Sequence, residues 1–368
     1  MKILHIGKFC PPNEGGMELF SYDLLEALNK KCIKADLLCF DKKTKKYTYR
    51  GFGIYACKIN IKINSVPVSY DFVKIFNKIA YDYDALHIHS PNPLGEILSL
   101  LINKPKIIHW QSDIVRQKIS YEIYKPIQHE ILKRATKIIV TSPQYVRYSE
   151  QLKMHIDKTI IIPLGINPRR LVIKDESIKE FENIKNKIKK NKIVLAVGRL
   201  VEYKGFKYLV EASKYLNHDI IVIIIGRGPL FKCLQNKINN LNLSDKVLLL
   251  GRVHDVSIYM NKCDVFCLPS ISRNEAFGLV LLEALHFGKP LVTTDVKGSG
   301  MNYVNKHNVT GLVVPPKDPR ALAEAINKIL SDKSLYREFS KNAFERVKEF
   351  EIGSIADRVI NLYKEVLG

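Results

Sequence analysis

Two glutamates eight positions apart, Glu275 and Glu283, bracket an apolar run in "SRNEAFGLVLLEALHFGKP", residues 272–290. As a helix, "AFGLVLLEALHF" is hydrophobic nearly all round, which predicts a buried element, and a carboxylate inside such an element needs a partner. Vicinal hydroxyls of a sugar are natural donors to it; the alternative is a glutamate bonded to backbone or to a structural arginine. Gly278, Leu279 and Val280 open the predicted helix, so their amides can face an anion, and Glu275 lies in the loop before it. "AVGRLVEYKGFKYL" follows an apolar strand and carries Arg199 and Lys204 on the loop before a helix. Two cations there suit a diphosphate, Arg chelating its oxygens and Lys acting as a point charge, although in a Lys-rich chain the pair alone says little.

Three further stretches bear on chemistry. In "PPNEGGMELF", Gly15 and Gly16 stand between the first strand and the first helix, where paired glycines either let backbone approach an anion or simply make a tight turn. "IIIGRGPLFK" offers Gly226 and Gly228 after a strand, with Asp245 about 20 residues on. Phe231 replaces the third glycine of a dinucleotide fingerprint, so the stretch reads as a plain turn and no cofactor is expected. "KIIHWQSDIVRQK" places His109 and Gln111 on the same side of a strand, and "ALHIHSPNPLG" adds His87 and His89. None of these has the spacing of a structural zinc site, so they are expected in a core or lining a cleft, with no metal.

The elements that must position these residues alternate. "KILHIG", "ADLLCF", "ALHIH", "KIIHW" and "KIIVTS" are short β-rich runs, each followed by helical periodicity, and a second such series starts at "KIVLAVG". Between the two series "IIIPLGINPRR" interrupts the pattern, followed by a charged segment over 174–192. The fold class expected is α/β, with two doubly wound Rossmann-like domains, 1–165 and 166–350, facing across a cleft at the carboxyl ends of their strands. At 368 residues the chain exceeds what one core comfortably fills.

Composition narrows the partners. With 46% hydrophobic and 26% charged residues the chain is globular, not disordered. The 58 Lys+Arg against 37 Asp+Glu, a formal +21, point either to an anionic partner or to a solvated lysine-rich surface. No aromatic-interleaved basic motif suggests nucleic acid. His5, Gly7 and Lys8 break the N-terminal apolar run, which argues against a signal peptide, and no run of 18 apolar residues predicts a spanning helix. Seven cysteines, scattered and without a CxxC pair, read as small buried residues of a cytosolic protein.

Taken together, "PPNEGGME", "HSPNPLG", "HWQSDIVRQK", "IIPLGIN", "VGRLVEYKGF", "IIGRGPL", "LPSISRNEAFGLVLLEALHFGKPLV" and "NVTGLVVPPKDPRALAEAI" resemble the retaining nucleotide-sugar glycosyltransferases of family 4, over essentially the whole chain. The resemblance implies the GT-B fold, an N-terminal acceptor domain onto which the C-terminal helix, about 351–368, packs back, and a C-terminal donor domain. It assigns Glu283 to the ribose hydroxyls and Glu275 to the transferred sugar. Arg199 and Lys204 would take the diphosphate, helped by Gly15, Gly16, Gly198, Phe277 and the amides at Gly278 and Leu279; Arg252 would lie near the base. It implies metal-independent transfer with retention by front-face attack. Two positions depart from the family: Gln111 stands where a histidine is common, leaving either His109 as a substitute or a purely positional role, and Arg227 replaces an acidic residue. The branch most resembled builds bacterial surface polysaccharide, O-antigen included, from GDP-mannose or related donors on lipid-linked acceptors at an anionic membrane face. Set against this are a UDP-sugar enzyme with another acceptor and a non-catalytic GT-B protein that binds a polyanion.

Overall fold

The six residues Ile220–Ile225, "IIVIII", contain no polar position, and all six are buried, as a parallel strand covered on both faces requires. The computed structural model describes residues 1–11, 15–64, 66–114, 118–188 and 192–368; residues 12–14 of the "PPNEGGMELF" stretch and 115–117 of "HWQSDIVRQK" lie outside these. The chain forms two units, Met1–Gly165 with Ile352–Gly368, and Ile166–Glu351.

The first unit runs β1 (Lys2–Phe9), α1 (Gly16–Lys30), β2 (Lys34–Asp41), β3 (Lys45–Tyr49), β4 (Phe52–Lys58), β5 (Ile61–Ile63), β6 (Val66–Val68), α2 (Tyr70–Ile79), β7 (Ala85–Ser90), α3 (Pro93–Ser99), β8 (Lys106–Trp110), α4 (Lys118–Arg134), β9 (Lys137–Val140), α5 (Pro143–Tyr148) and β10 (Thr159–Ile161). The second runs α6 (Asp175–Ile188), β11 (Lys192–Val197), α7 (Phe206–Ala212), β12 (Ile220–Ile225), α8 (Phe231–Asn240), β13 (Val247–Gly251), α9 (Ser257–Lys262), β14 (Val265–Leu268), α10 (Leu279–His286), β15 (Leu291–Thr294), α11 (Met301–Val304), β16 (Gly311–Val314), α12 (Pro319–Ser331) and α13 (Lys333–Lys348). The last helix, α14 (Ile352–Leu367), belongs to the first unit, where Lys31 pairs with Asp357 at 2.8 Å and Lys137 with Glu365 at 2.8 Å.

The first sheet has the order β10-β9-β8-β7-β1-β2-β4-β3, parallel except for β3 against β4. The second is wholly parallel in the order β13-β12-β11-β14-β15-β16. Counted along the chain, that second order is 3-2-1-4-5-6, the doubly wound arrangement with helices on both faces. Its core interleaves Val194, Ala196, Val222 and Ile224 from the strands with Leu209 of α7 and Leu322, Ile326 and Ile329 of α12. Helix α12 starts where Asp318 accepts from the amides of Arg320 and Ala321, both at 3.0 Å, with Pro319 preset at the first helical position.

Two features go beyond what spacing alone discloses. The first concerns the linker: of the charged segment over 174–192, Asp175–Ile188 forms helix α6, whose Phe181 is buried with its ring edge-on to Tyr259 at 5.3 Å and whose Glu180 accepts the His254 amide at 2.9 Å, so the stretch is a packed element of the second unit. The second is that the cysteines are not uniformly buried thiols. Cys10 is bonded to Cys39, their Cα atoms 5.5 Å apart, and Cys32 and Cys233 are exposed. The parallel register that pairs Phe9 with Phe40 sets Cys10 beside the neighbouring strand, where its amide donates to the Phe40 carbonyl at 3.1 Å. Among the described residues no helix is long and apolar enough to cross a membrane.

Candidate active site

In the second sheet the direction of winding reverses between β11 and β14, and in such sheets the loops leaving the carboxyl ends of those two strands receive the ligand. The first loop carries Gly198, Arg199 and Lys204; the second leads through Glu275 and Phe277 to α10. Gly205 joins them: at φ +69° it has a left-handed conformation, and a Cβ there would stand 2.0 Å from the Pro269 carbonyl. The two loops are thus pressed backbone to backbone. The first loop is also pressed on the next turn, since a Cβ on Gly226 would lie 1.9 Å from the Gly198 carbonyl.

That proximity creates an ion pair invisible in the sequence. Lys204 Nζ lies 2.5 Å from Glu275 Oε2, with Lys204 9% and Glu275 8% exposed. Burial alone would lower the Lys204 pKa; the Glu275 charge and hydrogen bond outweigh it, and the net direction is upward, so the lysine stays a cation. Ser270 donates to the same carboxylate oxygen at 3.3 Å, and Ser299 donates to the Glu275 carbonyl at 2.5 Å. Arg199 differs: it is exposed, its carbonyl accepts the Val201 amide at 2.8 Å, and its guanidinium makes no hydrogen bond or ion pair among the described residues. Arg227 is exposed on the adjoining loop, where its carbonyl accepts the Leu200 amide at 2.9 Å, so two guanidinium groups leave neighbouring strand ends.

Helix α10 begins at Gly278, which caps it at φ 82°, ψ 55°. Phe277 beneath is buried edge-on to Phe350 at 6.1 Å and orients the turn, while Leu279 at the helix start is half-buried. Glu283, one turn further, is half-buried. Its carboxylate has no hydrogen-bond donor or ion-pair partner among the described residues. Desolvation pushes its pKa up to about 7, against the pull of Arg170 and with a further push from Asp255. Arg252 is exposed just past β13.

In the first unit the winding reverses between β1 and β7, and a small pocket there is lined by Gly7, Met17, Ser21, His89, Pro91 and Gln111. Gly15 and Gly16 are exposed at the start of α1; a Cβ on Gly15 would lie 2.0 Å from Glu18 Oε2, so the helix's own first-turn carboxylate folds over that backbone. Gln111 is 5% exposed and its amide nitrogen lies 3.2 Å from His89 Nδ1. His109 is 0% exposed, its Nδ1 3.1 Å from His87 Nε2 and its ring edge-on to Phe20. The expectation that His109 stands in for a substrate-facing histidine is therefore corrected: its ring is wholly in the core, and Gln111, two residues on, is the one that reaches a pocket wall.

Residues 14–170 match the family described as Glycosyltransferase Family 4, and residues 177–346 match Glycosyl transferases group 1. The chain is 31% identical to the O-antigen chain mannosyltransferase C of Escherichia coli, over 100% of this chain and 99% of that one. The chain is a family 4 glycosyltransferase. It is also 29% identical to the D-rhamnosyltransferase WbpZ of Pseudomonas aeruginosa, over 95% and 92% of the two chains. The structure of Anabaena Alr3699/HepE in complex with UDP matches with a TM-score of 0.79 at 20% identity, over 99% of this chain and 100% of that one, which shows the GT-B fold. Among the family 4 residues expected to act, the structure brings Lys204 onto Glu275 and sets apart the Arg199 and Glu283 side chains, which have no hydrogen-bond or ion-pair partner among the described residues. Sequence reasoning missed that pairing and the polar surroundings of Gln111. The alternation "HIH" was the available signal for the second, since it sets two imidazoles on one face of β7.

Proposed function

We propose that this glycosyltransferase moves a hexose, with mannose from GDP-mannose as the first candidate, onto a lipid-linked oligosaccharide in surface-polysaccharide assembly, with retention and without a metal. The observation that carries the reading is the set of residues at the switch point of the second sheet: a buried Lys204–Glu275 pair, with Arg199 and Glu283 side chains that have no partner among the described residues. In this reading Glu283 accepts from the ribose hydroxyls, Arg252 lies against the base, and Arg199 and Lys204 take the diphosphate with the Gly278 and Leu279 amides. Fixed cations and amides stabilise the departing phosphate in the role a divalent ion plays elsewhere. Glu275 holds Lys204 and offers its remaining capacity to sugar hydroxyls. In the transfer the bond from the anomeric carbon to the phosphate oxygen breaks, the acceptor oxygen bonds the same face, and its proton passes to the departing phosphate. In the first unit, Gln111 bonds a ligand hydroxyl at the pocket wall, and the amides at Gly15 and Gly16 face an anion.

The acceptor half of the proposal draws on the O-antigen relative and on the formal charge of +21, which suits an anionic membrane face bearing a lipid-linked substrate. Thermal stabilisation by GDP, UDP, ADP and dTDP, and by their sugar conjugates, in EDTA tests the donor half. A ligand at about 100 times its Kd adds about 2.7 kcal/mol. Stabilisation by one nucleotide family fixes the base; stabilisation by none in EDTA, but by one with magnesium, overturns the metal-free reading. The anomeric configuration of the product tests retention, and sedimentation with anionic vesicles at low and high salt tests the membrane.

A further inference from the structure

Four imidazoles and a phenol meet on one face of the first sheet. The parallel registers set His5 opposite His87 and His89 opposite His109, so β1, β7 and β8 deliver all four rings to the same layer. Tyr363 arrives from α14 and Ser21 from α1. The contacts form one path, forked only at its last ring. His109 Nδ1 lies 3.1 Å from His87 Nε2, and His87 Nδ1 lies 2.6 Å from Tyr363 Oη. Tyr363 Oη lies 3.1 Å from His5 Nε2, and His5 Nδ1 lies 3.0 Å from His89 Nε2. His89 Nδ1 closes the path at 3.2 Å from both Ser21 Oγ and Gln111 Nε2.

His5, His87 and His89 have ligand atoms within 4.8 Å of one another, a grouping open to a metal. Yet their nitrogens already face one another, Tyr363, Ser21 or His109, and the charges acting on their titration are only those of other imidazoles. A dication there would stand in the core without a compensating anion. Burial keeps all four rings well below their ordinary pKa, so each is neutral and holds one proton.

One proton per ring allows two directions of donation. If every ring is protonated on Nε2, donation runs from Gln111 to His109, and the last N–H, on His109 Nε2, is left over: among the described residues that buried atom has no partner. If every ring is protonated on Nδ1, donation runs the other way. His109 Nε2 is then a bare lone pair, a smaller loss than an orphaned N–H. At the far end His89 donates to Ser21, whose own proton goes to the Met17 carbonyl at 2.9 Å. Both ends favour the second direction.

We propose that His109, His87, Tyr363, His5 and His89 form one uncharged hydrogen-bond chain with every ring protonated on Nδ1, and that this direction turns the Gln111 carboxamide so that its NH2 faces the pocket as a donor. An amide nitrogen cannot face the N–H of His89, so the carbonyl takes that side. The consequence for ligand rests on the function proposed above: Gln111 recognises an oxygen that accepts, such as a sugar oxygen or a phosphate, and Tyr363 on the last helix is a positioning residue for it.

Long-range proton–nitrogen correlation spectra of the full chain labelled with 15N histidine read the tautomers without any substrate. Four rings protonated on Nδ1, unchanged from pH 5.5 to 8 and on addition of zinc chloride, are expected. Nε2 tautomers, a ring cation or zinc-induced shifts at His5, His87 and His89 together overturn the chain. Tyr363→Phe cuts the path and is expected to change the tautomer of at least one neighbouring ring; unchanged spectra in a folded variant would count against it. Gln111→Glu retains an acceptor for His89 but lacks the donor, so turnover of GDP-mannose or UDP-glucose falls at least tenfold with the tautomers preserved. Full turnover in that variant defeats the donor assignment. Absence of turnover in the unaltered protein instead defeats the proposed function and leaves the tautomer result standing.

Discussion

Replacing Glu283 with glutamine should make the protein more stable and a worse binder of nucleotide. In the unfolded chain this carboxyl ionises near 4.5; in the fold desolvation raises it to about 7. Between those values the folded state holds a proton that the unfolded state has released. The contribution is therefore fully present below about 4.5, is lost as pH rises through 7, and stays lost above it. The full difference corresponds to about 3.4 kcal/mol at about 1.4 kcal/mol per pH unit. Because the residue is only half-buried, solvent screening reduces this, and about 2 kcal/mol is the working figure at pH 8. For a unit of this size that is a rise of about 4–8 °C in Tm for Glu283→Gln at pH 8, shrinking toward zero at pH 4.5. Nucleotide binding should move the other way, by a factor of about 10–100, as charge-assisted bonds to the ribose are lost. In the unaltered protein affinity should fall about tenfold per pH unit below 7, since the ionised form is the one that binds. Thermal melts at pH 5 and 8, with titration by the stabilising nucleotide, measure all of this. A variant less stable at pH 8 would mean that the carboxylate is satisfied inside the fold, and the reasoning fails.

Other substitutions divide the site by role. Lys204→Met leaves the Glu275 carboxylate buried without its cation and should cost about 3–5 kcal/mol, most of it recovered in Lys204→Met/Glu275→Gln; additive losses in urea unfolding would refute the pairing. Arg199→Ala, at an exposed side chain, should leave the urea midpoint unchanged while kcat/KM falls about 10–100-fold; equal loss of stability would mean the guanidinium is structural. Gly205→Ala should destabilise by about 2–4 kcal/mol, from the left-handed backbone and the Pro269 carbonyl together. Gly353→Ala, in α14 with nothing near its Cβ, should be neutral or stabilising by up to about 1 kcal/mol in the same assay.

What the sequence discloses and what it withholds differ by the distance over which residues must be matched. Strands such as Ile220–Ile225 announce themselves because a covered parallel strand needs an unbroken apolar run, and α10 announces itself because Glu283 is the one carboxylate in a run of leucines. Helix α6 was harder, since its lysines and glutamates outnumber the few apolar positions that hold it against Tyr259. The Lys204–Glu275 pair had no local signal. It arises from two loops brought together by strand order and fixed by a glycine at 205 that tolerates a carbonyl at van der Waals range. The disulfide and the histidine chain belong to the same class. "HIH" fixes a face of β7, but only the register against β1 and β8 decides that His5 and His109 join it, and a slip of one residue would send either ring to the opposite face. Register is set by packing of the whole sheet, so the groups that depend on it become visible only in the fold. The residues legible from spacing, Arg199, Lys204, Glu275 and Glu283, are those proposed to meet the donor. The contacts that place side chains in each unit, the Lys204–Glu275 pair beside Gly205 in the second and the Tyr363 link toward Gln111 in the first, join residues distant in sequence, and there the stability and tautomer measurements discriminate best.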